Sequence, residues 1–222
     1  MDSFQTRRLT LFCGSLVAFV FSCGSEDRTS SEPPATRIDA VAERASTDVI
    51  EWRHDDGRLV LKLKRKENGY KLYNADDRYL GKVRVKPDRV TLKDDDDRET
   101  WKVKRKEYGA EVEDSAGNRL FKIKRENGDW KLRDSSDRTL VKFKSKADGY
   151  EARDARGTTL AKIKSRDDRL VFESETGERL STVKGATDPR AGMWLAVPGL
   201  SEAERCALLV FFLEIERSRG GL

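Results

Sequence analysis

The sequence predicts a mainly β protein: a closed antiparallel barrel of about twelve strands, built from twenty-residue hairpin repeats around a buried hydrophobic C-terminal α-helix. Three observations predict it. Lysine recurs every twenty residues, at Lys62, Lys82, Lys102, Lys122, Lys142 and Lys162, with a second cation two residues on from each. Between the two cation columns runs an apolar one, Leu63, Val83, Val103, Ile123, Phe143, Ile163 and Val183, the period-2 alternation of a strand with one buried face. After the repeats the pattern breaks into an unbroken apolar run from Cys206 to Leu213.

Each unit reads as a hairpin because a second apolar pair follows on the same grid, as in Tyr70/Leu72, Val90/Leu92, Trp130/Leu132 and Leu170/Phe172. The segments between carry turn residues: Glu67-Asn68-Gly69, Pro87-Asp88 and Asn127-Gly128 in one series, Asp114-Ser115-Ala116-Gly117 and Asp134-Ser135-Ser136-Asp137 in the other. Asp at the first place can accept from its own turn backbone, and Gly or Asp at the fourth tolerates a positive φ. No single hairpin buries its apolar face alone, so such units stack or close on one another.

The C-terminal helix opens on Ser201-Glu202-Ala203-Glu204, a capping box, and extends to about Arg217. From residue 206 to 213 it is apolar on every side, which means burial on all sides or a membrane span. The run falls far short of the ~20 residues a bilayer needs, so burial in protein is predicted. Six complete hairpins supply twelve strands, and two candidate segments, Val49–Trp52 and Ser181–Lys184, would raise the count to fourteen if both join the sheet. Strands ~4.8 Å apart and tilted by about 40° then close at a radius of roughly 12–14 Å. A helix of radius about 5–6 Å leaves room for one layer of side chains, with Tyr70, Trp101, Phe121, Trp130, Tyr150 and Phe172 on hand to fill it.

This architecture, with runs such as Gly157-Thr158-Thr159-Leu160-Ala161-Lys162-Ile163, resembles the tubby-like barrel of tubby C-terminal domains, phospholipid scramblases and LURP-one-related proteins. The resemblance covers residues 48 to 218 and implies a closed barrel around a hydrophobic C-terminal helix. It also implies phospholipid binding or handling as one reading of function. No phosphoinositide- or calcium-binding motif of that family falls on residues of this chain. An open hairpin array binding a cell-envelope polymer, similar to choline-binding repeats, uses the same period but leaves the apolar helix without a place. Two cations per unit on the outward face exclude an outer-membrane barrel, which needs apolar residues toward lipid.

The N-terminus speaks of location. Arg7 and Arg8 precede an apolar stretch, Leu9 to Phe21, which ends in Val20-Phe21-Ser22-Cys23. This resembles the lipobox of bacterial lipoproteins. The resemblance implies a signal peptide over residues 1–22, cleavage between Ser22 and Cys23, and attachment of lipid, palmitate among it, to Cys23. An ordinary secretory signal or a plain N-terminal anchor is the alternative reading. The polar run from Gly24 to Pro34 reads as a tether, so residues 23–47 form the lipidated cysteine and linker, 48–190 the repeats, and 191–222 the C-terminal segment, one domain with the repeats. Gly24, in place of Asp, implies by the same resemblance sorting to the outer membrane, with the domain facing periplasm or surface.

Composition narrows the function classes. The 222 residues carry a formal charge of +5, but 38 % of them are charged and both signs interleave, unlike the concentrated basic patch of a nucleic-acid-binding protein. The single histidine, His54, stands beside Asp55 and Asp56 at a strand end and reads as a solvated turn residue. The run Asp94–Asp97 falls on the turn register and lacks the distal carboxylate of a Ca²⁺ loop. Cys206 reads as a small buried hydrophobe. No catalytic residue, metal site or cofactor is predicted. The expectation is a lipid-anchored, non-catalytic binding or scaffold module of the bacterial cell envelope, partnered by the membrane through its lipid. The six lysines are either a solvated outer face or a contact for anionic lipid headgroups, and an envelope protein is the other candidate partner.

Overall fold

The computed structural model describes residues 48–216. The predicted signal peptide, Ser22, Cys23 and the tether, like residues 217–222, lie outside the described residues. The repeats fold into a meander of fourteen strands: β1 (Val49–His54), β2 (Leu59–Lys66), β3 (Gly69–Tyr73), β4 (Tyr79–Lys86), β5 (Arg89–Lys93), β6 (Glu99–Lys106) and β7 (Gly109–Asp114). There follow β8 (Arg119–Glu126), β9 (Asp129–Asp134), β10 (Thr139–Lys146), β11 (Gly149–Asp154), β12 (Thr159–Arg166), β13 (Arg169–Glu173) and β14 (Arg179–Lys184).

Every strand pairs antiparallel with its sequence neighbours, and β14 returns to β1 through Glu51↔Lys184, Trp52↔Val183 and Arg53↔Thr182. The barrel is therefore closed, with fourteen strands where about twelve were expected. The two extra strands are half-repeats that each need the other as partner. Left unpaired, each would expose a row of backbone donors and acceptors at a sheet edge.

The meander sorts the turns to two ends. The turns following odd-numbered strands gather at one end, and the chain enters and leaves the sheet at the other. At the first end the Asp of each turn acts as predicted: Asp134 Oδ1 accepts from Ser136 N and Arg138 N, both at 2.9 Å, and Asp154 Oδ1 from Arg156 N at 2.9 Å and Thr158 N at 2.8 Å. The fourth place is left-handed whether Gly or Asp occupies it, with φ 61° at Asp137 and 92° at Gly157. Beside each of these turns one residue is skipped in the pairing: Leu72 faces Gly81 and Tyr73 faces Tyr79, so Leu80 bulges, as Leu180 does between Ser181 and Arg179. The bulge recurs on the grid and sharpens the bend that closure requires.

The bore is filled by the C-terminal segment, in two limbs. The first carries α1 (Pro189–Gly192), beginning at Pro189 with Asp188 as its cap, and a 3-10 turn over Met193–Ala196. The second is α2 (Glu202–Phe211), which continues as a π turn over Phe212–Glu216. The capping box forms as predicted: Ser201 Oγ accepts from Glu204 N at 3.3 Å and Glu204 Oε2 from Ser201 N at 2.8 Å. Cys206 through Phe212 are buried, as expected from an apolar girth, while Leu213 stays partly exposed. The first limb was not expected inside the barrel, yet Met193 and Trp194 have no exposed surface. Gly192 lets it press against the wall, since a Cβ there would meet Leu170 Cδ1 at 2.4 Å. Two limbs fill a bore that one helix and one layer of side chains were predicted to fill, in keeping with the larger circumference of fourteen strands.

Candidate functional site

The structure places the six grid lysines on the outer face of the even-numbered strands β2 to β12, in equivalent positions around the barrel. Strand alternation accounts for this, because each neighbours a buried position, such as Leu61 and Leu63 beside Lys62. Their amines do not stand free. Lys62 Nζ lies 2.6 Å from Asp77 Oδ1, Lys82 Nζ 2.5 Å from Asp97 Oδ1, and Lys122 Nζ 3.7 Å from Asp137 Oδ1. In each case the carboxylate is the fourth residue of the turn fifteen positions on, in the next hairpin.

Where that fourth residue is glycine, the lysine turns elsewhere. Lys102, whose counterpart is Gly117, pairs with Glu99 at 2.7 Å; Lys142, with Gly157, reaches Asp129 at 3.2 Å; Lys162, with Gly177, donates to the carbonyl of Glu175 at 2.7 Å. In the second cation column, Lys104 pairs with Glu113 at 2.7 Å and Lys164 with Glu173 at 2.8 Å. A hydrogen bond from the Lys62 amine holds the Asp77 carboxyl below the usual carboxylate range, and the Lys82 amine does the same to Asp97. The six grid lysines are thus held in a lattice of paired charges and carbonyl contacts on the outer wall. The turn residues Asp77, Asp97 and Asp137 escaped the sequence reading as partners, although their offset of fifteen from the lysines was visible in it.

The end of the barrel where the chain enters holds a second cluster. At the inward-facing position just beyond the last apolar one, the repeats carry Arg65, Arg105 and Arg125, against Val85, Ser145 and Ser165 in the others. Arg65 Nη2 donates to Glu214 Oε2 at 3.0 Å, and Tyr70 Oη donates to Glu214 Oε1 at 2.5 Å, so the π turn is tied to β2 and β3. Burial first, and then its bond to Glu214, push the Tyr70 hydroxyl well above the usual phenol range. Arg105 Nε lies 3.7 Å from Glu216 Oε1. The Arg125 side chain makes no hydrogen bond or ion pair with another described residue, and its guanidinium lies 5.8 Å from the Trp130 ring centre.

Beside Arg125 opens a cavity of about 450 Å³, lined among others by Tyr108, Asn127, Trp130, Arg190 and Phe212, with Glu107 and Glu216 also on its wall. Arg190 is fixed there by Asp188, which accepts from its Nη2 at 2.8 Å and its Nε at 3.1 Å. The sequence reading missed this cluster. Its signal was a cation at inward parity, where the alternation demands an apolar residue.

His54 is exposed at the end of β1, and Asp94 Oδ1 accepts from Arg98 N at 2.8 Å in its turn while Asp97 holds Lys82. Among the described residues no group of three or more His, Cys, Asp or Glu side chains is gathered as a metal ion would need, and no helix is long and apolar enough to cross a membrane. Cys206 is fully enclosed, and burial pushes its thiol well above the usual range.

Fold and site together define a closed fourteen-stranded hairpin-repeat barrel filled by its own C-terminal segment. No protein-family model matches the chain, and no curated protein matches it. Among solved structures it is similar to an X-ray structure of a protein from Arabidopsis thaliana, at 11 % identity and a TM-score of 0.31 over 65 % of this chain and 85 % of that one. A second likeness, to an alternansucrase in complex with isomaltononaose, has 14 % identity and a TM-score of 0.17 and covers 55 % of this chain but 12 % of that one. Likenesses at these scores carry no argument about function.

Proposed function

We propose that this chain is a lipid-anchored extracytoplasmic protein whose barrel serves as a non-catalytic binding or scaffold module. The observation that carries the reading is the succession of Val20-Phe21-Ser22-Cys23, a polar Ser- and Pro-containing run, and then β1 from Val49. A tether over residues 23–47 spans at most about 85 Å at ~3.4 Å per residue and typically about 25–30 Å if flexible. Asp48 and Glu216 lie at the same end of the barrel, so such an anchor would turn the entry end toward the membrane and the acidic turns away from it. A bore packed with buried apolar side chains and a wall of paired charges support a rigid body that presents surfaces, in place of a cleft for chemistry. The pairing of the grid lysines also favours a solvated wall over one that lies flat on anionic lipid, because each neutralised amine contributes less to attraction by headgroups.

Fractionation of cells expressing the full chain tests the reading. The mature protein is expected in the membrane fraction, retained at 1 M salt and released by detergent, because two or three acyl chains hold stably where charge alone is screened. Release by salt, or recovery with soluble cytoplasmic protein, contradicts it.

A further inference from the structure

The entry end of the barrel has a cation whose side chain pairs with none of the described residues. Three arginines occupy one column at the mouth, and the plug supplies carboxylates for two of them: Glu214 meets Arg65 and Glu216 lies beside Arg105. The Arg125 side chain makes no ion pair or hydrogen bond with another described residue, and its strand partner across the pair is Trp130, over whose ring the guanidinium lies. A guanidinium on an indole face is held in place while its outward donors remain open to a ligand.

We propose that the cavity beside Arg125 is a binding site for a small, singly charged organic oxyanion, a phosphodiester or a carboxylate, gripped by Arg125 with Arg190 as the second guanidinium on its wall. The volume of about 450 Å³ exceeds what a bare ion fills and falls in the range of small-molecule sites. Arg190 is pre-positioned by its side-chain bonds to Asp188, which leave its charge partly offset. Of the two guanidinium charges, that of Arg190 is already offset by Asp188, so a singly charged phosphodiester or carboxylate suits the charge balance better than a phosphate monoester. Tyr108, Trp130 and Phe212 supply aromatic surface for an uncharged portion of the ligand, and the exposed turn Asn127-Gly128 forms the rim. Comparison among the repeats marks the site as particular to one unit: Ser145 and Ser165 replace the arginine, and Arg65 and Arg105 face carboxylates of the plug. The assignment does not depend on the lipid anchor.

Calorimetric titration of the full chain in an uncharged detergent tests it, with three probes: glycerophosphoglycerol, dihexanoylphosphatidylglycerol, and butyrate. At least one is expected to bind saturably. Arg125→Gln, an exposed position whose change leaves the fold intact by circular dichroism, is expected to weaken that binding about tenfold or more, as loss of a charge-assisted pair does. Arg138→Gln, at the far end of the barrel, is expected to leave it unchanged. Binding of the lipid probe alone assigns the site to a headgroup with its chains, and binding of the soluble phosphodiester or butyrate assigns it to a free anion. Absence of saturable binding by all three, or equal binding by Arg125→Gln and the wild type, overturns the proposal.

Discussion

The rings of Trp194 and Phe212 lie 4.7 Å apart, inclined by 32°, and so join the two limbs of the plug. Each ring also reaches the wall: Trp194 meets Phe143 edge-on at 4.9 Å, and Phe212 meets Trp130 at 5.0 Å. Wall and plug are one core. Trp194→Ala is expected to cost about 3–5 kcal/mol, a large part of the ~5–15 kcal/mol stability of a domain. Urea denaturation measures it, and a cost under about 1 kcal/mol would mean that the limbs are not packed on one another. Trp194→Phe should cost less than the alanine change, since the buried indole N–H has no hydrogen-bond partner among the described residues.

Leu209 is buried in α2. Leu209→Asp places an unpaired charge in that core and is expected to cost several kcal/mol. Removal of residues 201–222 should be at least as damaging, because the bore would collapse or flood. Retention of the intact chain's β-type circular dichroism and a cooperative melt at a similar temperature by the truncated protein would show that the plug does not hold the barrel.

The lysine–turn pairing yields a separate test. Glycine already occupies the fourth turn position at Gly117, Gly157 and Gly177, so Asp77→Gly, Asp97→Gly and Asp137→Gly keep the left-handed backbone while freeing Lys62, Lys82 and Lys122. The triple variant is expected to keep nearly the wild-type melting temperature and to adsorb more strongly than wild type to anionic vesicles, with the difference fading as salt rises. Equal adsorption would indicate that the lattice does not control the charge of the wall.

Acid should unfold the protein. The Tyr108 hydroxyl and then Lys106 lower Glu111, Arg153 and then Lys146 lower Glu151, and lysines lower Asp77 and Asp97. Each carboxyl is more acidic folded than unfolded, so its contribution is present above the unfolded value of about 4 and is lost as pH falls through the lower folded value. The melting temperature is expected to hold steady from pH 7 to about 5 and to drop below about 4. A melting temperature that rises on acidification below pH 4 would contradict the pairing of these carboxylates.

Much of the fold was legible because a twenty-residue period transmits strand alternation, turn chemistry and register together. Lys62 beside Leu63, and Asp134 four residues before Arg138, each define a local geometry that repeats without insertion. β1 and β14 were harder to count, since each is half a unit whose partner lies more than a hundred residues away. The first limb of the plug, around Trp194, left only an apolar run that did not say on which side of the wall it lay. Arg65, Arg105 and Arg125 break the apolar column, but their separate roles depend on where Glu214 and Glu216 arrive, which no local pattern encodes.

Metabolic labelling with palmitate tests the lipid-anchored reading most directly. The wild-type chain is expected to incorporate label and to appear at the size of a protein beginning at Cys23, whereas Cys23→Ala should incorporate none and accumulate with residues 1–22 still attached. Label retained by Cys23→Ala, or absent from both proteins, would contradict the anchor and leave the barrel without the membrane attachment on which the proposed function rests.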